Sequence, residues 1–191
     1  MSTINPIVIS TWYHGKRANE TASNVLQKGG SALDAVVAGA AVSEEDPNVM
    51  DVGYGGLPGE NGIVTLDAAV MGPGGRSGSV AGMERIVNAA AVAKKVMEET
   101  EHAMIVGEGA KRFALKKGFQ EKNLLTEEAR RRWLEWKKDP EKSSAWLSEQ
   151  SHNETLGILA MDQKGDLAGA CTTSGAAWKI HGRVGDSPLI G

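Results

Sequence analysis

The sequence holds a single cysteine, Cys171, among 191 residues. One thiol excludes an internal disulfide framework and leaves the redox compartment open. Aromatics are scarce: five Trp, two Tyr and two Phe. No run approaches the ~20 apolar residues of a membrane span, so no membrane partner is expected. The net charge of −3 gives no electrostatic case for nucleic acid or anionic lipid. The start, Met1-Ser-Thr-Ile-Asn-Pro6, lacks a basic segment and a long apolar segment, so no signal peptide is read there. A cytoplasmic protein or a trimmed periplasmic or lysosomal one would both begin this way. The four histidines, 14, 102, 152 and 181, show no metal-ligand spacing, and with one cysteine no metal or cofactor is expected. Neither glycine-rich stretch matches a phosphate-binding loop.

What is present is glycine, 24 residues, and an ordinary balance of 41% hydrophobic and 24% charged residues. The length suits one domain, 1–191, with a buried core. Ile7 to Trp12 is a short β-branched run, predicted as a buried strand. Residues 17–28 read as a helix closed by Gly29-Gly30. Ser31, with Asp34 three residues on, predicts a capped second helix. Leu33, Val36, Val37, Ala40 and Ala41 would form its apolar face, and Asp46-Pro47 its end. A glycine-dense loop over 52–62, a strand over Ile63–Met71 and a second glycine-rich loop follow. Ser79 is predicted to cap a helix over 80–98, followed by a strand at Ala103–Val106 and a helix at 108–117. Thr126–Lys138 reads as a polar helix carrying Trp133 and Trp136. Asp139–Ser151 has the composition of an exposed linker running on to Glu154. Thr155–Asp162 and Leu167–Ser174 predict a β-hairpin. Trp12, at the end of the first strand, fits core or a pocket wall.

Candidate chemistry concentrates in the carboxyl-terminal fifth. A threonine hydroxyl is a weak nucleophile without an adjacent base. Chain cleavage before Thr155 would supply one, because its own α-amine titrates near ~7.7–8.0. A plain strand threonine fits the spacing as well. Arg183 offers a planar fork for a carboxylate and Asp186 a partner for an ammonium, together a grip for a free amino acid. An exposed ion pair is the plainer alternative.

Seven ordered blocks carry a resemblance: Ile9-Ser-Thr-Trp12, Gly29-Gly-Ser-Ala-Leu-Asp-Ala35, Glu45-Asp-Pro47, Val52-Gly-Tyr-Gly-Gly56, Thr65-Leu-Asp-Ala68, Ala170-Cys-Thr-Thr-Ser-Gly175 and His181-Gly-Arg-Val-Gly-Asp-Ser-Pro188. In this order they resemble the glycosylasparaginases, a type-2 asparaginase branch of the N-terminal nucleophile hydrolases. The resemblance implies an α+β fold, a four-layer αββα sandwich. It implies that residues 1–154 correspond to an α chain and residues 155–191 to the start of a β chain, after autoproteolysis of Glu154–Thr155 through an N-to-O acyl shift. The substrate would be the amide joining N-acetylglucosamine to asparagine. Thr155 would be the nucleophile, Thr173 its hydrogen-bond partner, Arg183 the α-carboxylate clamp, Asp186 the α-amine partner and Trp12 an aromatic wall. An L-asparaginase or isoaspartyl peptidase of the same fold and a non-catalytic, incomplete relative are the rival readings. In the family the nucleophile usually follows His-Asp; here His152-Asn153-Glu154 precede it. The acid is one methylene longer and one residue further from the histidine, and slow or absent cleavage is expected from that change. The family's chains also run on past the position of Gly191 and there supply oxyanion donors, each worth ~10²–10³ in rate. A chain ending at Gly191 is therefore expected to be inactive, or to need a complementing β-chain remainder or a homodimeric partner.

Overall fold

The structure is a computed structural model that describes residues 4–140 and 155–190. Its elements are β1 (Ile7–Ser10), α1 (Gly15–Gln27), α2 (Ala32–Glu45), β2 (Thr65–Met71), β3 (Ser77–Glu84), α3 (Ala89–Glu99), β4 (Met104–Val106), α4 (Gly107–Lys116), α5 (Glu127–Trp136), β5 (Leu156–Met161) and β6 (Leu167–Thr173). One six-stranded sheet runs in the order β1-β5-β6-β2-β3-β4. All neighbours are antiparallel except β3 and β4. The fold is thus mixed α+β, with one sheet and five α-helices among the described residues.

Helices α1, α2 and α3 are laid down by small residues. Ala18, Ala22 and Leu26 recur along one face of α1 and are buried. They meet α2 at Gly39, where an added Cβ would stand 2.9 Å from the Ala18 carbonyl oxygen and 2.6 Å from Ile158 Cδ1. Gly39 therefore lets α2 lie against both α1 and β5. Ser31 caps α2 as predicted, accepting from the Asp34 amide at 3.1 Å. The Asp162 carboxylate, in the β5–β6 turn, accepts from the Ala32 amide at 3.1 Å and places negative charge at the helix start. Leu33, Val36 and Ala40 face the core as the periodicity requires. Val37 and Ala41 are only half-buried, while Ala32, Ala35 and Gly39 are buried instead, because α2 has a neighbour on two sides.

Two sequence expectations are corrected. The segment after Ser79 does not enter a helix: Ser77–Glu84 is β3, and the helix starts at Ala89. Its Ser, Gly, Ala and Met residues carry no β signal of their own. Pairing with β2 and close cover by α3 decide the conformation; a Cβ on Gly78 would lie 2.5 Å from the Ala93 carbonyl oxygen. The first strand is not buried but at the sheet edge, with Ile7 and Ile9 exposed.

The helix-covered face of the sheet carries Leu66, Ala68, Val70, Val80, Leu156 and Ile158, all buried. The opposite face presents Ile9, Met71, Leu159 and Leu167 to solvent. Among the described residues, the chain after β6 returns across it: Leu189 and Ile190 join Ile9, Met71 and Leu159 around a cavity of about 550 Å³. No helix among the described residues is long and apolar enough to cross a membrane.

Candidate active site

The β5–β6 register pairs Leu156 with Thr172. Continued by one residue, it sets Thr155 across from Thr173. On the far side of β6, Thr173 pairs with Asp67 of β2. Thr155, Thr173 and Asp67 thus form one cross-strand row at one end of the sheet. Side chains alternate along a strand, so Thr172 and Thr173 point opposite ways. Thr172 turns to the helices and donates to Glu44 Oε1 at 2.7 Å. Thr173 donates to the Asp51 carbonyl at 3.1 Å and accepts from the Gly175 amide at 2.9 Å. Its hydroxyl proton is committed, which leaves its oxygen free to accept only.

The backbone of Thr155 is held by Thr11. Thr11 Oγ1 donates to the Thr155 carbonyl at 3.0 Å and accepts from the Gly157 amide at 2.9 Å. The Thr11 amide donates to the Gly157 carbonyl at 3.0 Å, extending the β1–β5 ladder. Glu154, the other half of the expected scissile bond, lies outside the described residues, as do His152 and Asn153 and the linker expectation over 141–154.

Arg183 and Asp186 sit on the segment that follows β6. The guanidinium of Arg183 packs against Gly175 and Gly185: a Cβ at those glycines would lie 3.4 Å and 3.0 Å from its Nη1. Gly175 is two residues beyond Thr173, so the cation is brought to the end of the threonine row. Asp186 lines the 550 Å³ cavity with Thr11, Gly157, Cys171 and Ser187. Burial pushes the Cys171 thiol up, the neighbouring Ser187 hydroxyl opposes this, and the nearby Asp186 charge adds to it. Trp12 directly follows Thr11 in the chain. It is 51% exposed, has a left-handed backbone (φ 61°), and lines a different groove with Tyr13, Lys16 and Asn19 of the α1 region. It is therefore not a core residue.

Three neighbouring groups were not singled out from the sequence. Lys179 is buried and donates to the Ser174 carbonyl at 2.7 Å and the Thr65 carbonyl at 3.5 Å. Burial holds its pKa below the usual lysine value, against the attraction of Asp67 and with the repulsion of Arg183. Glu44 is fully buried, and burial raises its pKa to about 7. Asp67 is fully buried and accepts from the Gly82 amide at 2.7 Å and the Gly185 amide at 3.4 Å. The visible signal for Asp67 was a lone acid within the apolar strand Thr65–Met71. Among the described residues no group of three His, Cys, Asp or Glu is placed to hold a metal ion.

The family model described as asparaginase matches residues 12–191. An N(4)-(β-N-acetylglucosaminyl)-L-asparaginase of Elizabethkingia miricola is 51% identical over 190 residues, covering 100% of this chain and 55% of that protein. The Mus musculus protein of the same name is 38% identical over 216 residues, covering 97% of this chain and 62% of its own length. That of Rattus norvegicus is 37% identical over 215 residues, with the same coverage. The chain spans little more than half the length of these curated relatives.

Proposed function

The chain belongs to the type-2 asparaginase family, among the glycosylasparaginases, and on that premise we propose that it is an amidohydrolase that cleaves the bond between N-acetylglucosamine and the side chain of asparagine. The observation that carries this reading is the β5–β6 register, which sets Thr155 across from Thr173 at the strand end to which Gly175 brings Arg183. The relatives' names specify the same amide. The exposed apolar face of the sheet supports a second sheet packed upon it, as in a four-layer αββα sandwich.

In this reading the bond Glu154–Thr155 is first cut by the chain itself, through an N-to-O acyl shift onto the Thr155 hydroxyl and hydrolysis of the ester. The freed α-amine of Thr155 then takes the proton of its own hydroxyl as that oxygen adds to the substrate's amide carbonyl. Thr173, whose proton is donated to Asp51, accepts a hydrogen bond from an N–H of the freed α-amine and so orients the nucleophilic residue. The tetrahedral adduct collapses with expulsion of the glucosaminyl amine, which takes up the proton. Water, deprotonated by the same α-amine, hydrolyses the aspartyl ester and releases aspartate. Arg183 holds the substrate's α-carboxylate by two parallel hydrogen bonds and Asp186 its α-ammonium. No metal or cofactor enters any step.

The test is amino-terminal sequencing of the purified protein, expressed from its complete reading frame, together with hydrolysis of glucosaminyl-asparagine. A fragment beginning at Thr155 and turnover abolished in Thr155→Ala are expected. Turnover surviving in Thr155→Ala would overturn the assignment of the nucleophile.

A further inference from the structure

Asp67 occupies a position made for it by a break in the sheet. β2 and β3 pair as Thr65↔Glu84 and Leu66↔Met83, then resume as Ala68↔Val80. Asp67 alone therefore faces two residues of β3, Ala81 and Gly82, which is a bulge. Gly82 takes the left-handed conformation the bulge requires, with φ 57°. The extra residue turns the Gly82 amide to Asp67 Oδ1 at 2.7 Å. The second oxygen, Oδ2, points to the Gly185 amide at 3.4 Å. Gly185 lies between Arg183 and Asp186, the two residues assigned to the substrate's α-carboxylate and α-ammonium.

The carboxylate is 0% exposed. An acid in that state is retained only where donors and a cation compensate its lost hydration. The donors are the two glycine amides, and the positive charge of the buried Lys179 attracts the carboxylate without an ion-pair contact. Lys179 reaches back to the carbonyls of Ser174 and Thr65, which both lie just beyond the Asp67–Thr173 pair at the same end of the sheet. The segment 175–186 is thus tied to the threonine row at both ends, by Lys179 near its start and by the Asp67 carboxylate at Gly185.

We propose that Asp67 is a positioning residue, which fixes the segment bearing Arg183 and Asp186 over the Thr155–Thr173 row. This rests on the amidohydrolase reading above. Asp67 touches no reacting atom; it sets where the two substrate-binding charges stand. Its loss therefore weakens recognition of the amino-acid end of the substrate while leaving the nucleophile in place.

The experiment compares Asp67→Asn, Gly82→Ala and the parent protein. Asparagine keeps one acceptor oxygen but loses the charge that Lys179 answers. Alanine at Gly82 meets no atom within 4 Å, so its effect is confined to backbone strain, which distorts the bulge and shifts the donor. Both variants are expected to retain cleavage before Thr155 and a kcat within a few-fold of the parent. KM for glucosaminyl-asparagine should rise on the order of tenfold in Asp67→Asn and by less in Gly82→Ala. A residue with a structural role alone would lower the active fraction, hence apparent kcat, without moving KM. Calorimetric titration with free L-aspartate, which carries the same α-carboxylate and α-ammonium, reports on the clamp without any hydrolysis. Weaker aspartate binding in both variants supports the proposal even where the parent shows no turnover, an outcome that would sink only the amidohydrolase reading. Unchanged aspartate affinity in both variants, or no aspartate binding by the parent, overturns the role of Asp67.

Discussion

The hydroxyl of Thr172 donates to the carboxylate of Glu44 across 2.7 Å, in a pocket closed to solvent. The same oxygen of Glu44 accepts from the Ala90 amide at 2.9 Å, and the other has no hydrogen-bond partner among the described residues. One acid thus joins the end of α2 to the start of α3 and to the β6 residue preceding Thr173.

This burial predicts how stability depends on pH. In the folded chain Glu44 titrates near about 7, against 4.5 when free of burial. Between those values the folded state holds a proton that the unfolded state has lost. The contribution is therefore fully present below pH 4.5 and is lost as pH rises to 7, at up to ~1.4 kcal/mol per pH unit. The neighbouring Glu45 charge acts in the same direction. Asp34, held low by Lys94, and Asp46, held low by the Asn48 amide, contribute in the opposite sense, and only at more acidic pH. Thermal melts from pH 5 to 8 should show Tm falling in the parent and a flatter profile in Glu44→Gln. An equal slope in both would remove Glu44 from the account.

The adjacent threonines separate stability from activity. Thr172→Val removes the hydroxyl donor from a buried acid and should cost ~1–3 kcal/mol. The cost should be larger above pH 7, where Glu44 is ionised, and turnover per folded molecule should be preserved. Thr173→Val removes the group that faces Thr155, the proposed nucleophile, and should abolish most turnover with a smaller loss of stability. Denaturant titration and hydrolysis rates on the same preparations check both halves. Equal loss of activity in the two variants would contradict the opposite facing of their side chains.

Much of this framework was legible in the residues. Ser31 announced its helix because its oxygen and the Asp34 amide are a local pair. The β5–β6 hairpin was visible because its apolar strands flank a Gln163-Lys-Gly-Asp turn. β3 was not legible, since Ser, Gly, Ala and Met in Ser77–Glu84 become a strand only when β2 and α3 meet them. The exposure of Ile7 and Ile9 was likewise unreadable, because strand order, not composition, puts β1 at the edge. Glu44 stands in the run Glu44-Glu45-Asp46 and has the sequence character of a solvated helix end. Its partner Thr172 lies 128 residues away, and only the fold reveals that the first acid of the three is buried. Thr155, Thr173 and Arg183 were each named from the sequence, yet their arrangement depends on register and on close approach at Gly175.

Glycine substitutions distinguish backbone strain from lack of space. Gly29 and Gly53 both have left-handed backbones, with φ 81° and 62°. A Cβ on Gly29 meets nothing within 4 Å, whereas one on Gly53 would lie 2.1 Å from the Glu44 carbonyl oxygen. Gly29→Ala should cost ~1–2 kcal/mol from conformation alone. Gly53→Ala should cost on the order of 1–3 kcal/mol more, because helix backbone has to move away. It should also disturb the Tyr54 amide's 2.7 Å hydrogen bond to the same carbonyl. Comparable melting temperatures for the two variants would show that the contact at Gly53 relaxes freely.

The indoles of Trp136 and Trp178 stack at 5.3 Å with planes 10° apart. Trp136 ends α5, and Trp178 directly precedes Lys179. The Trp178 amide donates to the Pro58 carbonyl at 2.9 Å, and Trp133, one turn earlier in α5, donates from Nε1 to the Glu60 carbonyl at 3.2 Å. The two tryptophans of α5 thus grip the glycine-dense loop and the segment that carries Arg183. A stacked aromatic pair is worth ~0.5–1.5 kcal/mol beyond its buried area. Trp136→Ala and Trp178→Ala should each lose the near-ultraviolet circular dichroism of the coupled indoles. In a double-mutant cycle their effects on stability should fall short of additivity by about that coupling energy. If α5 holds the segment through this stack, either single variant also raises KM for the substrate. Strict additivity, with an unchanged KM, would reduce the stack to an independent surface contact.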